Sequence, residues 1–282
     1  MYKLIDGKLV SQSVKDRILE EVSALKEEGR EVTLAVIIVG DDPASRVYVN
    51  NKKKACEYVG FRSLEYALPA ETTQEELIAL IEELNNREDV NGILCQLPVP
   101  KHIDDKAVIA AISVEKDVDA FSSYNVGKIM IGDYDFLPCT PAGVMEMLHY
   151  YDIPVEGKNC VVIGRSNIVG KPMAMLLLHE NGTVTVTHSR TKDLADITKK
   201  ADILVAAVGR AKFVTADMVG EGAVVIDVGM NRDENGKLCG DVDFDSVKEK
   251  CSYITPVPGG VGPMTIAMLM QNTLKAYHIQ QK

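Results

Sequence analysis

Apolar side chains recur along this chain in two rhythms. Over Ser13 to Glu28, Val14, Ile18, Val22 and Leu25 fall at the three- and four-residue spacing of one helical face, and Gly29 closes the segment. Thr33 to Val39 is instead an unbroken β-branched and apolar run, ended by Gly40, as in a strand buried on both faces. A helix starts near Pro43 and closes at Gly60. Thr73-Gln-Glu-Glu76 opens another, reaching about Asn86, with the hydroxyl and carboxylate of a capping box. Gly92 to Gln96 is a second buried strand, stopped by Leu97-Pro-Val-Pro100. Past a Pro138-Cys-Thr-Pro141 turn come four short buried strands, Cys160 to Ile163, Thr183 to Thr187, Asp202 to Val208 and Ala223 to Val228, with helices between the first three. Beyond Pro263 the chain is helical again.

This alternation predicts a two-domain α/β protein with parallel strands. The first domain covers 1–139 and is joined by a returning C-terminal helix, 264–282. The second, 140–263, is a Rossmann-like, doubly wound sheet whose strand ends carry a ligand. A chain of 282 residues suits two such domains.

Composition narrows the partners. With no Trp and 5% aromatics, the core has to be aliphatic. A net charge of −10 argues against nucleic acid or an anionic membrane, both of which need a basic face. The longest apolar runs, such as Met173 to Leu178, fall far short of the roughly 18 residues of a membrane span. The polar, acidic N-terminus has no signal-peptide core, and the six cysteines never pair at a two-residue ligand spacing. A cytoplasmic protein without a metal site is the expectation.

Cys160-Val-Val-Ile-Gly164 followed by Arg165-Ser166 and Gly170-Lys-Pro172 reads as strand, glycine turn and helix start, where backbone amides can meet a pyrophosphate. The spacing departs from G-x-G-x-x-G, so a ligand-free tight turn stays open on this segment alone. An NAD unit ends its next strand with Asp or Glu roughly 20 residues past the glycine turn. Here that strand ends in His188-Ser189-Arg190-Thr191, with no carboxylate before Asp193. With Arg165 opposite, such a cationic, hydroxyl-rich end favours the 2′-phosphate of NADP.

Tyr48 and Lys52 lie four apart on one helical face, with Ser45 a turn earlier. Alone, that is as easily a surface pair. Gln96 ends a buried strand, Lys116-Asp-Val-Asp119 sets two carboxylates around a valine, and Pro256 to Thr265 is a glycine-rich loop open to a flat ligand. Taken singly, each is also readable as a structural amide, a solvated charge pair or a hinge.

Ser45-x-x-Tyr48-x-x-x-Lys52, Gln96-Leu-Pro-Val-Pro100, Lys116-Asp-Val-Asp119, Pro138-Cys-Thr-Pro141, Gly164-Arg-Ser-x-Ile-Val-Gly-x-Pro172 and Pro256-Val-Pro-Gly-Gly-Val-Gly-Pro263 occur in one order. In that combination the chain resembles, from its N-terminus to about Asn272, the bifunctional methylenetetrahydrofolate dehydrogenase/methenyltetrahydrofolate cyclohydrolases. The resemblance implies NADP-dependent oxidation of methylenetetrahydrofolate and hydrolysis of the methenyl product to 10-formyltetrahydrofolate, in one-carbon metabolism that feeds purine biosynthesis. It implies Lys52 as the key catalytic group, Gln96 orienting it, and Tyr48 stacking on the aminobenzoyl ring. Asp119 would hold the pterin, with Leu97 and the Pro258-Gly259-Gly260 backbone alongside. Gly164, Arg165, Ser166, Ser189 and Met230 would contact NADP, and the molecule would be a homodimer. One departure stands out. The family usually carries glycine where this chain has Ala120, so a crowded pterin pocket and a weakened hydrolytic step are expected. A shikimate-type NADP dehydrogenase and a non-catalytic NADP-binding sensor are the alternatives.

Overall fold

The computed structural model describes residues 2–281, apart from the side chain of Ala44. The chain runs β1 (Lys3–Leu4), α1 (Gly7–Glu27), β2 (Thr33–Val39), α2 (Pro43–Val59), β3 (Arg62–Leu68), α3 (Gln74–Asn86) and β4 (Gly92–Cys95). Helices α4 (Asp105–Ala111), α5 (Ser123–Ile131) and α6 (Cys139–Tyr150) lead into β5 (Asn159–Ile163), α7 (Gly170–His179), β6 (Thr183–Thr187), α8 (Leu194–Thr198), β7 (Ile203–Ala206) and β8 (Ala223–Asp227). The hairpin β9 (Asn231–Arg232) and β10 (Leu238–Cys239) precedes α9 (Phe244–Val247), β11 (Cys251–Ile254) and α10 (Val261–Gln280).

Two compact units result. One contains Gln12–Cys139 and Ile266–Lys282, the other Met1–Ser11 and Thr140–Thr265. The sequence reading put the first eleven residues with the first unit. They join the second because β1 adds to its sheet, with Lys3 opposite Tyr253 and Leu4 opposite Ile254. A two-residue strand carries too little periodicity to be read beforehand.

In the first unit three parallel strands lie in the order β3-β2-β4. All seven residues of β2 are buried, which is why its sequence is continuously apolar rather than alternating. Its core joins Ile37 and Ile93 to Leu77, Ile81 and Leu84 of α3. Helix α3 is started by the expected capping box: Thr73 Oγ1 accepts from Glu76 N–H at 3.2 Å, and Glu76 Oε2 accepts from Thr73 N–H at 2.8 Å. Strand β3, half-exposed at the sheet's edge, mixes polar and apolar residues without a regular alternation and was not anticipated. Because β3 lies on one side of β2 and β4 on the other, the winding reverses at β2. A crevice opens at the carboxyl ends of β2 and β4.

The second unit repeats the device. Its six parallel strands run β1-β11-β8-β7-β5-β6, so the winding reverses between β5 and β7. Val161, Leu204, Val225 and Ile254 form the aliphatic centre.

The Lys116-to-Ser122 turn of the first unit is built by its own charged residues. Lys116 is buried, and its Nζ donates to Leu84 O at 3.1 Å and Arg87 O at 2.6 Å, satisfying carbonyls at the end of α3. The Asp117 carboxylate accepts from Ser122 N–H at 2.8 Å, Asn125 Nδ2 at 2.9 Å and Phe121 N–H at 3.3 Å, fixing the start of α5. Between them Ala120 adopts φ +58° and is 0% exposed. Its methyl group therefore cannot reach a ligand, and the anticipated crowding of the pterin pocket is absent. What remains is left-handed backbone strain.

Three magnitudes decide the cost of Ala120. Left-handed backbone costs alanine about 1 kcal/mol. Against that, the buried methyl contributes about 0.8 kcal/mol, and glycine would lose roughly 0.4–1 kcal/mol through its looser unfolded chain. Ala120→Gly should thus shift stability by less than about 1 kcal/mol. Ala120→Val, forcing a β-branched side chain into a filled, left-handed site, should lose more than about 2 kcal/mol. Denaturant midpoints of the two variants check this pair.

Candidate active site

Helix α2 is anchored at its start by Asp42, whose carboxylate accepts from Ser45 N–H at 2.7 Å, with Pro43 in the first turn. Ser45, Val49, Lys52, Cys56 and Val59 share its buried face, at helical spacing. Lys52 is only 9% exposed, yet its ammonium is not unpaired: Nζ donates to Gln96 Oε1 at 2.8 Å. Gln96 continues β4, with its N–H on Ile37 O at 2.8 Å, so the side chain emerges at the reversal point of the sheet. Its Nε2 donates to Leu97 O at 2.7 Å, which settles which end of the amide faces Lys52. The following Leu97–Pro98 peptide bond is cis.

Asp119 completes the cluster. Burial pushes its carboxyl up to about 6, against the pull of the Lys52 charge. Burial likewise lowers the Lys52 pKa from its ordinary value, while the charge of Asp119 holds it up. The Cys139 thiol lies 3.8 Å from Asp119 Oδ1 and 3.6 Å from Val118 O. Asn272 of α10 donates from Nδ2 to Val118 O and to Leu137 O, each at 2.8 Å, pinning the chain just before Asp119. Neither Asn272 nor Cys139 was singled out from sequence. A polar residue within an apolar helix was the available signal for the first. Tyr48, one turn before Lys52 on α2, is 37% exposed, and burial raises its pKa. Leu97 lines a small cavity with Asp119, Phe121 and Ile112. Of Lys116-Asp-Val-Asp119, only Asp119 reaches the cluster; Lys116 and Asp117 serve the backbone.

The other candidates lie in the second unit. Gly164 directly follows β5 at φ +129°, where a Cβ would run into Ala207 O of the β7 loop; only glycine allows that approach. Gly170 meets the same limit against Gly164 O. Ser166 Oγ accepts from Val169 N–H at 3.1 Å and Gly170 N–H at 3.2 Å, and Ser166 O accepts from Lys171 N–H at 3.0 Å. These first-turn amides of α7 are therefore satisfied within the protein. An anion is left the exposed 165–168 segment with the Arg165 guanidinium. Across from it, His188 to Thr191 form a tight turn, closed by Thr191 N–H on His188 O at 2.8 Å and His188 N–H on Thr191 Oγ1 at 2.9 Å. That turn leaves Ser189 and Arg190 exposed. Met230, beyond β8, is 47% exposed. Pro258-Gly259-Gly260 precede α10 and lie close against α1, for a Cβ on Gly7 would strike Gly260 O. A close-packed glycine turn facing exposed cationic and hydroxyl groups, without an acidic strand end, fits a dinucleotide with a 2′-phosphate.

Comparison with known proteins bears on both units. Residues 5–119 match the catalytic domain of the tetrahydrofolate dehydrogenase/cyclohydrolase family, and residues 138–281 match its NAD(P)-binding domain. A bifunctional protein FolD of Lachnoclostridium phytofermentans is 64% identical over 272 residues, covering 96% of this chain and 96% of its own. The crystal structure of the bifunctional FolD methylenetetrahydrofolate dehydrogenase/cyclohydrolase of Campylobacter jejuni superimposes with a TM-score of 0.97 at 52% identity, over 99% of each chain. That of the Trypanosoma brucei enzyme, complexed with NADP and an inhibitor, gives 0.95 at 41% identity over 100% of this chain and 99% of its own. With both halves matched and identity this high across nearly the whole length, the chain belongs to the tetrahydrofolate dehydrogenase/cyclohydrolase family.

Proposed function

We propose that this protein oxidises 5,10-methylenetetrahydrofolate with NADP and hydrolyses the resulting 5,10-methenyl cation to 10-formyltetrahydrofolate, with Lys52, Gln96 and Asp119 at the reacting end of the folate. The observation that carries this assignment is the buried Lys52 Nζ, held 2.8 Å from Gln96 Oε1 within the field of Asp119. Membership of the folate family leaves the shikimate-type alternative without support.

In the oxidation, the nitrogens flanking the methylene carbon drive its loss of hydride, and the protein's task is alignment. NADP, when bound, would supply the hydride acceptor. Gly164, Arg165, Ser166, Ser189 and Met230 would hold it, Arg165 and Ser189 reaching the 2′-phosphate. Tyr48 would offer a ring for the aminobenzoyl group, and Leu97 would offer a flat contact for the folate. In the hydrolysis, water adds to the methenyl carbon, the bond from that carbon to N5 breaks, and one proton is released. Lys52 Nζ, its pKa lowered by burial, accepts the proton of the attacking water and returns one to N5. Gln96 keeps Nζ in place through both transfers. Ionised Asp119 accepts hydrogen bonds from pterin N–H groups. The same reading makes the protein a cytoplasmic homodimer; all six cysteines are free thiols, as a reducing compartment would keep them.

Lys52→Met keeps the length of the side chain and removes its proton-carrying group. Cyclohydrolase kcat should fall at least about 100-fold, the scale of general acid–base catalysis, and dehydrogenase kcat clearly less. Persistence of both activities near wild type would make Lys52 a packing residue. Ala120→Gly, relieving only backbone strain, should leave the ratio of the two activities within about twofold.

Arg165→Ala should weaken NADP roughly 10- to 150-fold, the worth of one hydrogen bond to a charged group, and leave NAD nearly unaffected. Equal losses for both would show that Arg165 does not read the 2′-phosphate. For pH, the sign follows from Asp119: above about 6 it is ionised and accepts, below that it is protonated and loses an acceptor. KM for either folate should therefore rise as pH falls through 6. Asp119→Asn should have a higher KM whose acid limb is flat.

A further inference from the structure

Two buried carboxylates with no part in the steps above tie together the loops after β7 and β8. Asp227, the last residue of β8, accepts on Oδ1 from Gly229 N–H at 2.9 Å and Asp241 N–H at 2.8 Å, and on Oδ2 from Val242 N–H at 2.9 Å. Asp241 is 0% exposed and accepts four bonds. Its Oδ2 takes Val208 N–H at 2.6 Å and Gly209 N–H at 3.0 Å; its Oδ1 takes Arg210 N–H at 2.8 Å and Asn231 Nδ2 at 2.9 Å. The backbone is shaped for this. A Cβ at Gly229 would run into the Asp241 carboxylate, and one at Gly240 into that of Asp227.

The groups Asp241 holds are informative. Val208 to Arg210 continue β7, one of the two strands between which the winding reverses, and Ala207 in the same loop is what Gly164 packs against. Asn231 directly follows Met230 in the β8 loop. One anion thus fixes three successive amides of one loop and a side chain of the next, with every lone-pair direction used and none turned to solvent. Left alone, the β7 loop, with Gly209 at φ +66°, would be free to open.

We propose that Asp241 is a positioning residue for the dinucleotide: behind the crevice and never touching the ligand, it sets the separation of the 207–210 and 229–231 loops that border the site. This rests on the assignment of NADP to that crevice. All four partners are N–H donors, so the residue has to accept on both of its side-chain oxygens. An asparagine has the same shape, but its –NH2 would face two N–H donors with nothing to offer them.

The test uses the full chain and a built-in contrast, because hydrolysis of methenyltetrahydrofolate needs no dinucleotide. Calorimetric titration with NADP, without turnover, should show Kd raised about tenfold or more in Asp241→Asn. Hydrolysis by the same preparation should stay within about twofold of wild type. Asn231→Ala, which removes only the bridge to the β8 loop, should raise Kd by about threefold and serves alone if Asp241→Asn does not fold. Unchanged Kd in the folded variants would overturn the proposal, as would hydrolysis falling in step with affinity, which marks a merely structural residue. A wild-type protein that hydrolyses the methenyl substrate yet binds no NADP would overturn the cofactor assignment and this proposal together. Wild-type binding with unaffected variants would overturn this proposal alone.

Discussion

Taking an ammonium group out of water costs several kcal/mol unless other dipoles and charges replace its hydration. Lys52 meets that demand with few partners: one amide oxygen and the field of one carboxylate. Much of the first unit can be read as the means of supplying them. Strand β4, buried beside β2, delivers Gln96 at a fixed height. The buried face of α2, which also carries Val49, Cys56 and Val59, delivers Nζ. Asp119 comes from a turn whose two flanking charges are spent on backbone, Lys116 on the end of α3 and Asp117 on the start of α5. A lysine so held keeps its proton less tightly than in water, which is what moving one at neutral pH requires.

The two sheets place their ligand groups by a shared rule. Each winds first to one side of its founding strand and then to the other, and the crevice left at the reversal receives the candidate residues. In the smaller sheet these are the β4 extension and the helix after β2. In the larger they are the glycine turn after β5 and the loop after β7. Fold and site are therefore one argument: the order of crossovers determines which loops can meet.

Much of this was readable in the chain and some was not. Continuous apolar runs such as 34–39 and 203–208 announce central parallel strands, because burial on both faces removes the polar alternation. Two of the four edge strands of these sheets announce little: β3 mixes charged and apolar residues, and β1 has two residues. Ser166 reads as a cofactor contact; its hydroxyl also caps the first turn of α7, a second role that the motif does not announce. The Lys116-Asp-Val-Asp119 motif looked like a pair of working carboxylates, yet Asp117 is a backbone brace. These two roles depend on how a local turn closes onto its own amides, and others depend on partners far along the chain that spacing does not encode. Asn272 is the clearest case, 154 positions from the Val118 carbonyl it holds.

That separation bears on how the protein comes into being on the ribosome. The first unit draws its final segment from residues beyond 265, and the second needs the first eleven. When residue 139 has been synthesised, the strands and helices around Lys52 are already outside, but the amide that pins the Asp119 turn is not. The nucleotide unit, by contrast, has its oldest piece waiting until β11 is made. Neither site can be finished by a nascent chain that stops early. The turn that carries Asp119 thus lacks its pin until Asn272 has been made.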